Sequence, residues 1–443
     1  MKINIPSDAK KILTTLHQNG YKAYLVGGCV RDSLLNKEPK DWDITTNAKP
    51  TDVMSLFDKT IPTGLQHGTV TVMIDGEGYE VTTFRVESEY SDKRHPSNVT
   101  FVDNIADDLS RRDLTINAMA FNETEGLIDP FGGQSDLENK VIKCVGSPNA
   151  RFKEDALRMM RAIRFASQLE FKIEECTFQA IRNNSSELKR ISIERIRDEF
   201  NKILLSNNPL MYVKMLISTK LSSHFLPELE GMIKFDQNNT YHHLDLFEHI
   251  LTSVANVDSQ LHLRLAMLLH DVGKLTTKTT DEQGMSHYYG HPKESVNMAT
   301  DILKRMKYSN EIIITVLLLI EFHDVPFDGK KTIKRMLGAF GKNMVEDIIK
   351  VKSADIMAQN PQYLVKRQES LKTSKELINE IIAQEECFSL RDLKVNGRDL
   401  MAIGFKAGKE LGEMLNYLLE MVMENKELND REILINIAKR KYQ

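Results

Sequence analysis

Apolar and polar positions follow two rhythms along this chain, and the change between them divides it. A helical spacing over Ala9–Gln18 is followed by β-rich runs at Tyr24–Val26, Thr69–Ile74 and Tyr79–Arg85, separated by Gly and Asp turns. That succession predicts a small α/β head. From about Arg151 to the C-terminus strand signals nearly vanish and amphipathic helical periodicity takes over, so the remainder is predicted to be almost wholly α. Polar, Gly and Pro clusters near Ser206–Pro209, Lys234–Thr240, Thr276–Gly284 and Asp324–Lys331 mark loops between helices. The expected class is α+β, a mixed head carrying a long helical body.

Composition narrows the picture in three ways. At 443 residues the chain exceeds one core and should hold two to four domains. With 41% hydrophobic and 28% charged residues it is ordinary globular protein, which excludes disordered and collagen-like classes. No apolar run approaches bilayer-spanning length, and the opening MKINIPSDAKKIL lacks the apolar core of a signal peptide, so a cytoplasmic location and no membrane partner are expected. Cys29, Cys144, Cys176 and Cys387 form no CxxC pair and read as reduced, packed thiols. A net charge of −4 requires any nucleic acid contact to come from a local basic surface.

The first chemistry lies in the head. Leu25-Val26-Gly27-Gly28-Cys29-Val30-Arg31-Asp32 runs from a short strand through two glycines into a helix, letting backbone N–H groups approach a phosphate. Asp41-Trp42-Asp43 follows, and on a strand its period of two puts both carboxylates on one face. Two convergent aspartates suit Mg²⁺, which prefers oxygen ligands and bridges carboxylates to substrate phosphates. A lone DxD is more often a solvated strand edge. Here GG, RD and DxD in order resemble the nucleotidyltransferase superfamily that includes DNA polymerase β, which implies that Asp41 and Asp43 are catalytic Mg²⁺ ligands. Glu80 is a candidate third carboxylate, left unassigned.

Three further blocks extend the resemblance: Arg111-Arg112-Asp113-Leu114-Thr115-Ile116-Asn117-Ala118, Asp129-Pro130-Phe131-Gly132-Gly133, and Arg151-Phe152-Lys153-Glu154-Asp155-Ala156-Leu157-Arg158-Met159-Met160-Arg161-Ala162-Ile163-Arg164. With the head motifs and Ile191–Ile196, they resemble the bacterial class II tRNA nucleotidyltransferases and their poly(A) polymerase relatives over roughly the first 210 residues. The resemblance implies CCA addition to a tRNA 3′ end from CTP and ATP. It also implies that Asp155 and Arg158 read the incoming base, and that Gly28, Arg31, Arg112, Arg161 and Arg164 contact the nucleotide. The chemistry is consistent. Asp accepts from the exocyclic amine that C and A share, Arg donates to their ring nitrogen, and U or G would leave buried groups unpaired. Asp155 and Arg158, three apart, are expected on one helix face. Arg158, Arg161 and Arg164 step about 60° at a time as a basic stripe; without the motif context, such arginines would simply solvate a face. The polar segment Ser88–Ser97 looks too irregular for a strand and resembles the family's flexible loop, which argues against a CC-only enzyme.

The body carries a second set: His249, His270-Asp271, His291, His323 and Asp355. Their order resembles the HD superfamily of metal-dependent phosphohydrolases, implying a second divalent metal held by imidazole and carboxylate. A lone buried His is usually a core residue. No such role falls to His242, His243, His262 or His287. The stretch Leu393–Leu400 with a helix around Leu411–Met423 resembles the tRNA-contacting tail. The expected division is a head at 1–140, a neck at 141–235, an HD-type helical domain at 236–360 and a tail at 361–443. A-only addition, poly(A) synthesis, and an HD hydrolase with a vestigial head remain open; intact Asp41, Asp43, Asp155 and Arg158 weigh against the last.

Overall fold

Short runs of β-branched and aromatic residues pair into one mixed sheet in a computed structural model that describes residues 3–90, 96–327, 329–383 and 387–442. The strands of the head are β1 (Ala23–Val26), β2 (Ile44–Thr46), β3 (Thr60–Gly64), β4 (Thr69–Ile74), β5 (Glu77–Thr83), β6 (Arg85–Tyr90), β7 (Pro96–Phe101), β8 (Ala120–Asn122) and β9 (Gly126–Ile128). Seven make a sheet in the order β3-β4-β5-β2-β1-β8-β9, and β6 pairs with β7 alone. β2 and β5 run parallel with Ile44 opposite Val81. β1 is buried along its whole length, as a central strand requires. The helix Ser7–Gln18 turns Ala9, Ile12, Leu13 and Leu16 inward, the i, i+3, i+4, i+7 stripe of a helix laid on a core.

The chain divides into two units, Met1–Glu230 and Gly231–Gln443. In the first, the head leads into helices Pro148–Glu154, Leu157–Leu169, Glu175–Asn184, Ile193–Leu204 and Pro209–Ser218. In the second, the helices Leu246–Asn256, Leu261–Leu269, His291–Arg305, Asn310–Phe322 and Lys330–Met357 are followed by Pro361–Ala383. The long Lys330–Met357 helix is interrupted at Gly341, whose φ of +75° breaks helical geometry. The last segments, including Lys409–Glu424 and Arg431–Tyr442, close around a core of their own that includes Leu400, Phe405, Leu418, Val422 and Leu434. Among the described residues no helix is long and apolar enough to cross a membrane.

Four local expectations change. Ser88–Tyr90 and Pro96–Ser97 lie in the β6–β7 hairpin, with Ser88 opposite Asn98 and Tyr90 opposite Pro96; backbone pairing in a two-stranded ribbon needs no apolar face, so polarity hid the strands. Residues 91–95 lie outside the described residues. Asp41 and Asp43 precede β2 rather than lying in it. The predicted loop at Thr276–Gly284 holds the end of a short helix, Lys274–Thr277, and a two-residue strand pairing Thr280 with Ser286. Cys29, Cys144 and Cys387 are buried free thiols, but Cys176 is exposed on a helix rather than packed.

Candidate active-site groups in the two units

The Val26 N–H donates to the Asp43 carbonyl at 3.0 Å, which draws the Asp41–Asp43 segment alongside β1 just before β2 begins. Because β2 and β5 are parallel and Ile44 faces Val81, one step back on each strand brings Glu80 beside Asp43. Burial raises the pKa of Asp43, Glu80 raises it further, Arg112 opposes, and Asp41 adds to the rise. Carboxylates crowded so that they repel one another are the donor set a hard cation neutralises. Sequence reading named Glu80 without a role; the parallel pairing brings it to Asp43.

Gly27 supplies the turn, with φ of +77° at which any side chain is strained, and a Cβ there would stand 3.0 Å from Arg112 Nη1. Gly28 then opens the helix Gly28–Leu34. Arg31 Nη1 donates to Asn117 Oδ1 at 2.7 Å, and Arg31 Nη2 pairs with Asp32 at 2.8 Å. Asn117 Nδ2 donates to Asp113 Oδ1 at 3.4 Å, and Asp113 Oδ2 accepts from Arg161 Nε at 2.6 Å. Burial alone would raise the Asp113 pKa; Arg161 outweighs it and holds the carboxyl far below the usual range. Arg164 Nε pairs with Glu199 at 2.8 Å. The guanidiniums of Arg31, Arg161 and Arg164 surround the ring of Phe165, 5.0, 5.6 and 3.6 Å from its centroid. Three segments distant in sequence thus form one cationic group built on Phe165, Asp113 and Asn117, none of which the motif reading singled out.

Asp155 and Arg158 do not share a helix. Asp155 caps the end of Pro148–Glu154 with extended backbone, φ −134° and ψ 108°, and the next helix begins at Leu157. Its side chain explains the break, since Oδ1 accepts from the Leu157 N–H at 2.9 Å, a local bond that competes with continuing the helix. Asp155 Oδ2 pairs with Arg195 at 2.9 Å. Arg158 is 9% exposed and donates to Glu154 at 2.6 Å and to the Arg111 carbonyl at 2.9 Å. The predicted stripe is therefore three buried or half-buried arginines, each with its own carboxylate, not a solvated face.

In the second unit the predicted histidines and aspartates converge. His249 Nε2 lies 3.3 Å from His270 Nε2, 3.3 Å from Asp271 Oδ2 and 3.1 Å from Asp355 Oδ1. His291 Nε2 and His323 Nε2 approach Asp271 Oδ1 at 3.3 and 4.0 Å, and that oxygen is buried without a hydrogen-bond partner. The opposite ring nitrogens face backbone carbonyls: His249 Nδ1 at Ala358 (3.2 Å), His270 at Met267 (2.8 Å), His291 at Tyr288 (2.9 Å) and His323 at Ile320 (2.6 Å). Each ring thus points Nε2 inward, the arrangement metal-ligating imidazoles take. His249, His270 and Asp355, and likewise His270, Asp271 and His323, bring ligand atoms within 4.8 Å of one another. Burial alone would lower the His270 pKa, but Asp271 and then Asp355 outweigh it and lift it to about 10. That negative field equally suits a divalent cation in place of the proton, so the residues fit a metal. Gly273 makes the approach close, because a Cβ there would lie 2.5 Å from Ser295 N and 2.6 Å from the His291 carbonyl. Lys274 Nζ pairs with Asp271 at 2.6 Å and donates to Gln237 at 2.9 Å. His242, given no role above, lies in the same cavity wall.

A polymerase-β-like head with paired aspartates, a cationic cluster and a helical body defines a nucleotidyltransferase, and the poly A polymerase head-domain family matches residues 23–143. An RNA- and SrmB-binding segment of polymerase A matches residues 170–232, and a tRNA nucleotidyltransferase second domain matches 279–438. The CCA-adding enzyme of Pediococcus pentosaceus is 36% identical, covering 97% of this chain and 96% of its own; that of Ligilactobacillus salivarius is 37% identical, covering 99% and 98%. The crystal structure of the Bacillus stearothermophilus CCA-adding enzyme in complex with CTP superposes with a TM-score of 0.72 at 29% identity, covering 98% of this chain and 96% of that one. The chain belongs to the CCA-adding enzymes, which are tRNA nucleotidyltransferases.

Proposed function

We propose that this protein adds CCA to the 3′ end of tRNA from CTP and ATP, without a nucleic acid template, in the cytoplasm. The observation that carries the reading is the grouping of Asp43 with Glu80, Arg112 and Asp41 beside the Gly27–Gly28 turn, which the Arg112 and Arg31 side chains approach. Mg²⁺ held by Asp41 and Asp43 would lower the pKa of the tRNA 3′-hydroxyl and neutralise charge on the triphosphate. The arginines orient the phosphates, with Asp113 and Glu199 fixing Arg161 and Arg164. Asp155 and Arg158 select C and A. Their side chains are engaged by Arg195 and Glu154, so an incoming base exchanges with these partners or uses the donors and acceptors they leave. The four-part division into head, neck, HD-type domain and tail accompanies this reading, supported by the separate core of the last segment. Incubation with tRNA ending in the discriminator base, in CC and in CCA, with each labelled nucleotide, tests it. Incorporation of C, C and A in order is expected, and incorporation of A alone would assign an A-adding enzyme.

A second reading concerns the second unit. Convergence of four inward-facing imidazoles on two buried carboxylates supports a divalent metal that would activate water for hydrolysis of phosphoesters such as 2′,3′-cyclic nucleotides. A phosphodiesterase assay with Mn²⁺, Ni²⁺, Co²⁺ or Mg²⁺ beside metal analysis tests it; absence of both hydrolysis and bound metal leaves a structural domain.

A further inference from the structure

The cavity that holds the His–Asp centre does not end there. A cleft of about 250 Å³ adjoins it, and Asp324, Asp355 and Gln359 belong to the walls of both. Phe327, Ile356 and Leu371, all nearly buried, give the cleft an apolar lining. Lys352 and Arg367 line it as well. Arg367 is held in place twice, with Nη1 donating to Gln359 Oε1 and the guanidinium 4.7 Å from the ring centroid of Tyr241. Gln359 Nε2 in turn donates to Asp355 Oδ2 at 2.7 Å, while Asp355 Oδ1 faces His249 and His270. Two hydrogen bonds therefore connect a cation in the cleft to a carboxylate of the centre. Lys352 Nζ is anchored on the Val325 carbonyl at 3.0 Å.

We propose that this cleft binds a nucleotide carrying a second phosphate, with one phosphate at the His–Asp centre and the other received by Arg367 and Lys352. The inference rests on the metal reading of the second unit and specifies its substrate class. Size excludes a folded polymer, since the volume lies at the small end of ligand sites and suits one nucleoside unit. The apolar wall offers faces for a base or ribose. Asp324, on the shared wall, repels anions, so a second anion is favoured beside the two cations. There the planar fork of Arg367 matches a phosphate in two places and Lys352 adds a point charge.

The test is calorimetric, on the full Mn²⁺-loaded chain in the cold, with metal content measured separately and ligand integrity checked after each titration. Adenosine 3′,5′-bisphosphate and adenosine 3′-monophosphate are compared on wild type, Arg367→Met and Lys352→Met. Wild type should prefer the bisphosphate by about tenfold, the size of one or two charge-assisted hydrogen bonds. Arg367→Met should abolish that preference and Lys352→Met reduce it, with metal content and 3′-monophosphate affinity unchanged. Equal affinity for the two ligands on metal-loaded wild type overturns the inference and leaves the metal reading standing. If wild type retains no metal, the metal reading falls and takes the inference with it. If Arg367→Met does not fold, Lys352→Met alone decides: an undiminished preference overturns the inference.

Discussion

Asp113→Asn isolates the part of the head that the motifs left unexplained. The substitution keeps size and shape, so it opens no cavity, and Oδ1 can still accept from the Leu114 N–H, which it does at 2.9 Å. What is lost is the charge facing Arg161 at 2.6 Å, and the new amide turns N–H toward a guanidinium that has only donors. Removing one partner of a buried pair costs about 3–5 kcal/mol. Asp113 is 7% exposed but the Arg161 side chain is 35% exposed, so water recovers part of that and about 2 kcal/mol is the expected loss. For a unit of this size that lowers Tm by about 4–8 °C. The sign with pH follows from the depressed carboxyl: its contribution is complete above the unfolded-state pKa, about 4, and is withdrawn as pH falls through the lower folded value. The Tm gap between wild type and variant should therefore be full near pH 7 and narrow in acid. If Arg161 holds the triphosphate, its release should raise KM for CTP and ATP together by about tenfold. Melting curves at pH 7 and pH 3 with steady-state kinetics check both. A Tm within 1 °C of wild type at pH 7, or a gap that widens in acid, refutes the reasoning.

Asp41→Ala and Asp43→Ala should each abolish nucleotide addition while filter-binding affinity for tRNA stays near wild type, because the role proposed for these carboxylates is to hold metal and not RNA; retained activity would remove them from the catalytic set. Arg158→Ala should lower discrimination against UTP and GTP more than it weakens triphosphate binding. It should also cost about 1–3 kcal/mol in stability, since the Arg111 carbonyl loses a donor while Glu154 keeps Arg151 at 2.6 Å. An equal loss for all four nucleotides would make Arg158 a phosphate or structural residue. His270→Ala combined with Asp271→Ala should eliminate divalent metal from the second unit, read by elemental analysis, and leave CCA addition unchanged; loss of both activities together would mean that the pair supports the whole fold.

The mixed head and the helical body were legible in the spacing of apolar positions. Asp41, Asp43 and the second-unit histidines were named as candidates through the resemblance their ordered motifs carry. The partners that orient them could not be read that way. Glu80 reaches Asp43 only because β2 and β5 pair in parallel with a register that no local pattern records. Asp113, Asn117 and Phe165 join Arg31 and Arg161 through packing between segments up to about 130 residues apart. The break at Asp155 was within reach, since an Asp just before an apolar helical run is a capping signal. Periodicity through Arg151–Phe165 concealed it, as the phase on either side nearly matches.

A motif in the right order can outlive its use, so the order of His249, His270, Asp271, His291, His323 and Asp355 does not by itself separate a working centre from a relic. Orientation does more. A relic relieved of its ligand needs only to satisfy each polar atom, and the cheapest solution pairs Nε2 or a carboxylate with the nearest donor or acceptor. Here the four Nδ1 atoms already have backbone carbonyls, and the Nε2 atoms are crowded onto one another and onto two carboxylates, with Asp271 Oδ1 left without a hydrogen bond. Against burial, Asp271 and Asp355 lift the His270 pKa to about 10, while burial and the neighbouring His270 push His323 down to about 4. One imidazole charged and its neighbour neutral is how a compact set meets its own repulsion when a single shared cation would meet it better. The Gly273 contact and the Arg367–Gln359–Asp355 chain hold that arrangement from outside. Side chains released from function drift toward local satisfaction, and the metal of the proposed second reading would satisfy these where they stand.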